Sequence, residues 1–306
     1  MKKFQWFVVA VMLQAFNVAA QDAVEVEKNE SQIFLTYNSK APYIFMGKID
    51  ADKAASAGAA MMYPGDNALV FFTAVLAHAA IESGVQNSRS NKVQNEANQV
   101  LVDYQPLITK FNVVENILVD KLDLMGTKDI SDIYISNDEA SKASAKWIMN
   151  VSPVFFLTQN HGSLILYNHI VLDENKATDS TKKNNKKTVS KKAKEKRNEK
   201  IVVVISDPIK EDDYKNYWLK SEGLNFLTVL KKMYDESIEL IVAHKIKQKN
   251  EVGGEQTTIR YIEDGVKKIE RGYVYASSCQ RTLFESLEGE IKSVPNLDFL
   301  NCPLGG

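Results

Sequence analysis

The fold is decided by residues 154–172, whose sequence is VFFLTQNHGSLILYNHIVL. Two apolar runs lie on either side of Asn160-His161-Gly162, a polar stretch with the composition of a tight turn. The runs at residues 154–158 and 163–172 therefore predict two strands joined as a hairpin. This hairpin is the clearest structural signal in the chain.

A lysine-rich insert separates the hairpin from the next apolar strand, which is predicted at residues 201–206. The insert, residues 176–200, contains eleven basic and three acidic residues. Such a segment cannot bury enough apolar surface to become ordered. We therefore expect a disordered, exposed loop between consecutive strands of one antiparallel sheet rather than a linker between two domains.

The remaining elements predict an α+β fold. Because strands and helices do not alternate regularly, the pattern favours a largely antiparallel sheet with packed helices, helix-rich in the N-terminal part and strand-rich in the C-terminal part. Strands are predicted at residues 32–37, 41–49, 133–135, 257–262, 267–276, 281–287 and 289–295. Helices are predicted at residues 67–81, 97–108, 113–124, 212–219 and 224–242, with a break at Gly223 and an end or kink at Pro106.

The first twenty residues have the pattern of a cleavable signal peptide. Lys2 and Lys3 form a positive start, Phe7–Phe16 is mostly apolar, and residues 18–20 are small. The apolar stretch is shorter than the roughly 20 residues that span a bilayer. We therefore expect cleavage after Ala20 and a protein that is periplasmic or secreted. A periplasmic protein of this kind can also attach peripherally to the outer membrane.

Domain organisation follows from these patterns. Residues 21–31 are predicted to be a flexible leader, and residues 32–306 to be the α+β body. A division of the body into a helix-rich part at 32–150 and a sheet-rich part at 151–306 remains open. Without Lys2 and Lys3 the chain has 36 basic and 39 acidic residues, of which 25 basic and 36 acidic residues lie outside the insert. An acidic body thus carries one basic insert.

Cys279 and Cys302 are the only cysteines. Two thiols in one exported domain usually pair, so we expect a disulfide that ties the C-terminal tail to a strand ending near Cys279. The two residues lack the Cys-X-X-Cys spacing of a redox-active pair.

Motifs for catalysis are absent. His78, His161, His169 and His244 match no metal-binding spacing, and the chain contains neither a Gly-X-Ser-X-Gly elbow nor a phosphate-binding glycine loop. We therefore predict no catalytic, metal-binding or cofactor-binding residue and no cofactor. His161 is interpreted as a turn residue.

Two segments are candidates for contacts with a partner. Residues 68–81 are the most hydrophobic stretch after the signal, and are either a buried core helix or a segment that contacts a membrane or a partner. The insert either adds solubility or captures an anionic envelope component, such as a lipid headgroup, lipopolysaccharide or an acidic protein. The candidate contact residues are Leu69, Phe71, Phe72, Val75 and Leu76 in the first segment, and Lys182, Lys183, Lys186, Lys187, Lys191, Lys192, Lys194, Lys196 and Arg197 in the second.

Nucleic acid is not an expected partner, because the insert lacks interleaved aromatic residues for base stacking. The sequence thus favours an exported, bacterial-type envelope protein of non-catalytic binding or structural type that contacts a membrane surface or an envelope partner. The alternative is a periplasmic hydrolase with catalytic residues assembled from scattered positions. Identity of the ligand, any reaction and the oligomeric state stay open.

Overall fold

The computed structural model describes residues 29–37, 44–49, 88–111, 134–136, 142, 145–175, 199–247 and 255–302. These residues form one ten-stranded sheet and three α-helices. The strands are β1 (Asn29–Tyr37), β2 (Ile44–Gly47), β3 (Tyr134–Ser136), β4 (Ala145–Leu157), β5 (Leu164–Glu174), β6 (Glu199–Ile205), β7 (Gln256–Glu263), β8 (Val266–Ser277), β9 (Arg281–Ser286) and β10 (Ile291–Pro295). The helices are α1 (Ser88–Ala97), α2 (Gln105–Lys110) and α3 (Tyr214–Lys247), and 3₁₀ turns span Asn98–Tyr104 and Phe299–Asn301.

The hairpin predicted from residues 154–172 is confirmed. Strands β4 and β5 pair antiparallel, with Phe155 opposite Leu166. β6 then pairs antiparallel with β5, with Val203 opposite Tyr167. The strands that flank the lysine-rich insert are therefore neighbours, as predicted, whereas residues 176–198 of the insert lie outside the described residues.

The predicted fold class is wrong in two respects. The sheet is mixed rather than largely antiparallel, because β1 pairs in parallel with β3 and β4, β2 pairs in parallel with β4, and β6 pairs in parallel with β10. The N-terminal part is not helix-rich either. Its described residues contribute three strands and the start of β4, together with short helical segments at residues 88–110. The helices predicted at 67–81 and 113–124 fall outside the described residues.

The parallel pairings explain this error physically. Leu35 of β1 lies opposite Met149 of β4, more than a hundred residues later in the chain. Local sequence patterns report strands joined by a tight turn, and such strands are antiparallel. A parallel partner strand that is distant in the chain produces no recognisable pattern in the residues next to the strand.

Helix α3 follows the prediction closely. Its helical geometry is interrupted at residues 220–223, and Gly223 has a φ of +78°. A glycine adopts this left-handed conformation without the steric cost that a side chain imposes. Pro106 lies in the first turn of α2, immediately after the chain changes from 3₁₀ to α-helical geometry at Tyr104–Gln105.

The two faces of the sheet are buried by different elements. One face packs against the helices, and its core includes Phe155, Leu166 and Val204 from the sheet and Trp218 and Phe226 from α3. The other face holds a second apolar core, which consists of Val154, Phe156, Ile165, Ile201, Val203, Ile205, Ile259, Tyr261, Phe284 and Val294.

The second core exists because the sheet curls back on itself. The strand order is β3-β1-β4-β5-β6-β10-β9-β8-β7, so five inter-strand spacings separate β5 from β7. In a flat sheet these spacings would amount to about 24 Å. Instead the backbone N–H of Asp264, at the tip of the β7–β8 hairpin, donates to Ser163 Oγ beside β5 at 3.1 Å. The hairpin therefore lies across the second face.

The predicted disulfide is present. Cys279 and Cys302 are bonded, with their Cα atoms 5.7 Å apart. The bond joins the turn before β9 to the end of the last 3₁₀ turn. It therefore fixes the C-terminal tail to the sheet.

Candidate anion-binding surface

The β7–β8 hairpin has an inner side that faces the second core and an outer side that faces solvent. Ile259 and Tyr261 point inward and are 4% and 6% exposed. Side chains alternate across a strand, so Arg260 and its neighbours at even positions of β7 point outward. The register extends this division to β8, where Glu270 lies opposite Ile259 and Ile269 lies opposite Arg260.

The acidic residues of the two strands lie on the inner side, where they are paired. Glu263 forms an ion pair with Lys48. Glu270 forms an ion pair with Lys292 at 2.9 Å and accepts a hydrogen bond from the hydroxyl of Tyr261 at 3.2 Å. The carboxylates of β7 and β8 are therefore neutralised within the fold.

Lys292 is the centre of this inner cluster. Its ammonium group also contacts Glu290 at 2.7 Å. Burial disfavours the charged amine, but Glu290 and Glu270 outweigh that effect and raise the pKa of Lys292 above its usual value. Burial, together with nearby Glu270, raises the pKa of the Tyr261 hydroxyl. The cluster holds the inner side of the hairpin against β10.

The outer side carries cations and no acid. Its eight side chains form four cross-strand pairs, namely Gln256 with Tyr273, Thr258 with Arg271, Arg260 with Ile269, and Ile262 with Lys267. Arg260, Lys267 and Arg271 are exposed. Among the described residues none of these three cations takes part in an ion pair, and Arg271 donates to the neutral amide of Gln256 at 3.0 Å.

Two large apolar side chains alternate with these cations along β8. Ile269 is 63% exposed and Tyr273 is 38% exposed. Along β8 the outward positions therefore read Lys267, Ile269, Arg271, Tyr273. Such a surface attracts an anionic partner and offers apolar side chains for burial against it.

A second cluster, whose side chains can exchange protons, lies at the β4–β5 turn. Nδ1 of His161 lies 2.9 Å from the hydroxyl of Tyr104, and the two rings stack with centroids 5.6 Å apart. The backbone carbonyl of His161 accepts a hydrogen bond from the indole of Trp218 at 2.7 Å. His161 has a φ of +63°, so the turn holds it in the left-handed region.

These contacts indicate which atoms of Tyr104 and His161 carry the protons. Tyr104 is fully buried, and burial, with Asp103 and Asp213 nearby, raises the pKa of its hydroxyl. Its proton has His161 Nδ1 as acceptor, so the neutral imidazole carries its own proton on Nε2. Burial, assisted by Lys215, lowers the pKa of His161. Within the described part of the chain, no serine, threonine or cysteine side chain hydrogen-bonds to the His161 ring.

A third cluster lies at the base of the lysine-rich insert. His169 and Glu199 are 2.5 Å apart, and Lys200 contacts Glu285 at 2.6 Å. Tyr275 donates to the same Glu285 carboxylate. Burial opposes ionisation of Glu285, but hydrogen bonds from Lys200 and Tyr275 outweigh it and lower the pKa of the carboxyl group. The two ion pairs therefore hold the start of β6, where the insert ends, against β5 and β9.

The candidate contact residues predicted from the sequence, Leu69, Phe71, Phe72, Val75 and Leu76, and Lys182, Lys183, Lys186, Lys187, Lys191, Lys192, Lys194, Lys196 and Arg197, lie outside the described residues. Their roles stay predictions. The outer side of the hairpin was not predicted from the sequence. A signal was available, because alternate residues of the predicted strand at 267–276 are cationic and apolar in turn.

Within the part of the chain that the structure describes, no three His, Cys, Asp or Glu side chains are grouped so as to hold a metal ion. Nor does any helix there combine the length and the apolar composition needed to cross a membrane. Comparison of the chain with protein-family models, with curated proteins and with solved structures finds no match.

Proposed function

We propose that this chain is an exported envelope protein of the non-catalytic binding type, and that the outer side of the β7–β8 hairpin binds an anionic envelope component. The observation that carries the proposal is the sorting of charge in the hairpin. Its acids face inward and are paired, whereas Arg260, Lys267 and Arg271 face outward and form no ion pair with any residue that the structure describes.

Export is supported by the signal-like pattern of residues 1–20 and by the disulfide. Disulfides persist in oxidising compartments and are rare in the cytosol of most organisms. The bond between Cys279 and Cys302 therefore suits a periplasmic or secreted protein. The acidic balance of the rest of the body makes a local cationic surface more selective, because anionic partners are repelled elsewhere.

The size of the expected effect follows from the number of cations. Each Lys or Arg near an anionic membrane contributes about 1 kcal/mol, so three of them contribute about 3 kcal/mol, or roughly a hundredfold in affinity. Salt screens such an attraction beyond about a nanometre. Binding through this surface is therefore expected to weaken steeply as salt is raised.

The test measures binding of the purified protein to two anionic probes, namely vesicles that contain phosphatidylglycerol and soluble polyglutamate, at low and at high salt. The test variant combines Arg260→Gln, Lys267→Gln and Arg271→Gln. The matched control combines Lys110→Gln, Lys210→Gln and Lys268→Gln, which remove the same charge from exposed sites elsewhere, including the inner side of the same hairpin.

We expect the wild type to bind at least one probe at low salt, the test variant to lose that binding, and the control to retain it. Equal loss in both variants would show that attraction is spread over the whole surface, and would refute the proposal. Absence of wild-type binding to either probe would refute it as well. Thermal unfolding of each variant confirms that the fold is intact.

A further inference from the structure

We infer that the partner of the hairpin is a phospholipid membrane surface, into which Ile269 and Tyr273 insert while the three cations bind headgroup phosphates. This inference rests on the proposed function, and it names the partner of the same surface. Its basis is the alternation of two exposed apolar side chains with cations that form no ion pair among the described residues, all on the outer side of the β7–β8 hairpin.

The geometry suits a planar interface. Ile269 and Tyr273 are four residues apart on the outward positions of β8, which places them about 14 Å from each other. Arg271 lies between them, and Lys267 follows Ile269 on the side of the hairpin turn. On β7, Arg260 lies directly opposite Ile269. Each apolar side chain therefore lies near a cation within the same face.

A lipid interface satisfies both kinds of side chain at once. Phosphate groups provide anions at the depth that Arg and Lys reach with their long side chains, and the acyl boundary below them accepts an aliphatic side chain. Tyrosine is enriched at this depth because its ring is apolar and its hydroxyl is polar. A soluble polyanion such as polyglutamate supplies the charges but no apolar layer for Ile269.

The exposure of Ile269 also needs an explanation. At 63% exposed it is the most exposed large apolar side chain in the described part of the chain. It lies opposite Arg260 rather than against the second core, which holds Ile259 and Tyr261 on the inner side. Insertion into a membrane interface would bury Ile269, which the fold leaves exposed to solvent.

The test compares the double variant Ile269→Ser, Tyr273→Ser with the control Val102→Ser, Leu224→Ser, which removes two exposed apolar side chains, 58% and 61% exposed, from helical segments. Binding to vesicles of phosphatidylglycerol and phosphatidylcholine is measured by sedimentation, and binding to polyglutamate by fluorescence anisotropy. We expect about tenfold weaker vesicle binding for the test variant, because two partly buried apolar contacts are lost. The control is expected to bind as the wild type does.

The outcomes separate this inference from the proposed function. Vesicle binding that is unchanged in the Ile269, Tyr273 variant but lost in the triple glutamine variant would overturn insertion and leave the anion-binding surface. Wild-type binding to polyglutamate as tight as to vesicles would overturn the lipid partner in the same way. A wild type that binds neither probe would overturn both, and equal weakening in the test and control variants would overturn insertion at this face.

Discussion

Removal of the Cys279–Cys302 disulfide is expected to lower the free energy of unfolding by about 3 kcal/mol. The bond joins residues 23 apart in the chain and so closes a loop that contains β9, β10 and the last 3₁₀ turn. For a loop of this length, the chain-entropy model assigns about 3 kcal/mol to the restriction of the unfolded chain. The native sheet keeps its other contacts, so we expect the variant to fold.

The assay is urea unfolding, followed by circular dichroism, of the wild type and of the Cys279→Ser, Cys302→Ser variant, each with and without a reductant. Reductant should lower the stability of the wild type to that of the variant and should leave the variant unchanged. A loss below about 1 kcal/mol would refute the reasoning, because the loop would then restrict the unfolded chain far less than its length implies. A reductant effect on the variant would also refute it.

Three further predictions concern other parts of the chain. Burial lowers the pKa of His161 in the folded state, so its contribution to stability is full above its unfolded pKa of about 6.5 and is lost as the pH falls through the lower folded pKa. His161→Asn should flatten this part of the pH–stability curve, because asparagine tolerates the left-handed φ but does not titrate. An unchanged curve would contradict the lowered pKa of His161. Gly47 of β2 lies against the backbone of Ala97 at the end of α1, so the Cβ of Gly47→Ala would clash with the Ala97 carbonyl and should cost about 1–3 kcal/mol of unfolding free energy in urea titrations. A neutral effect would show that Gly47 does not lie this close to Ala97. Replacing the lysines at residues 176–196 with glutamine, which keeps the Lys200–Glu285 ion pair, should reduce binding to anionic vesicles if the insert captures anions, and unchanged binding would remove the insert from consideration.

The elements that the sequence predicted correctly are marked by local chemistry. The β4–β5 hairpin has a polar turn between two apolar runs, and the break in α3 has Gly223 at a left-handed position. The Cys279–Cys302 bond followed from the number of cysteines and the expected compartment. In each case the decisive residues are close in the chain, or are the only ones of their type.

The rest depends on contacts between distant residues. β1 and β2 both lie along the same edge of β4, but no turn joins them to it. Glu199 pairs with His169, although the whole insert lies between them in the chain. The outer side of the β7–β8 hairpin was not predicted from the sequence for a different reason. The sequence shows Glu263 and Glu270 among the cations, and only the three-dimensional pairing of these acids with Lys48 and Lys292 shows that they do not neutralise the outward cations.

The parallel pairing of β6 with β10 has a kinetic consequence. Among the described strands, β7, β8 and β9 are connected by strand pairing to the rest of the sheet through β10, which follows all three of them in the chain. The edge of β6 that β10 occupies therefore cannot be paired in this way until residues 291–295 have been synthesised. Pairings of such high sequence separation fold slowly, so the newly made chain stays unfolded for longer than one built from local contacts.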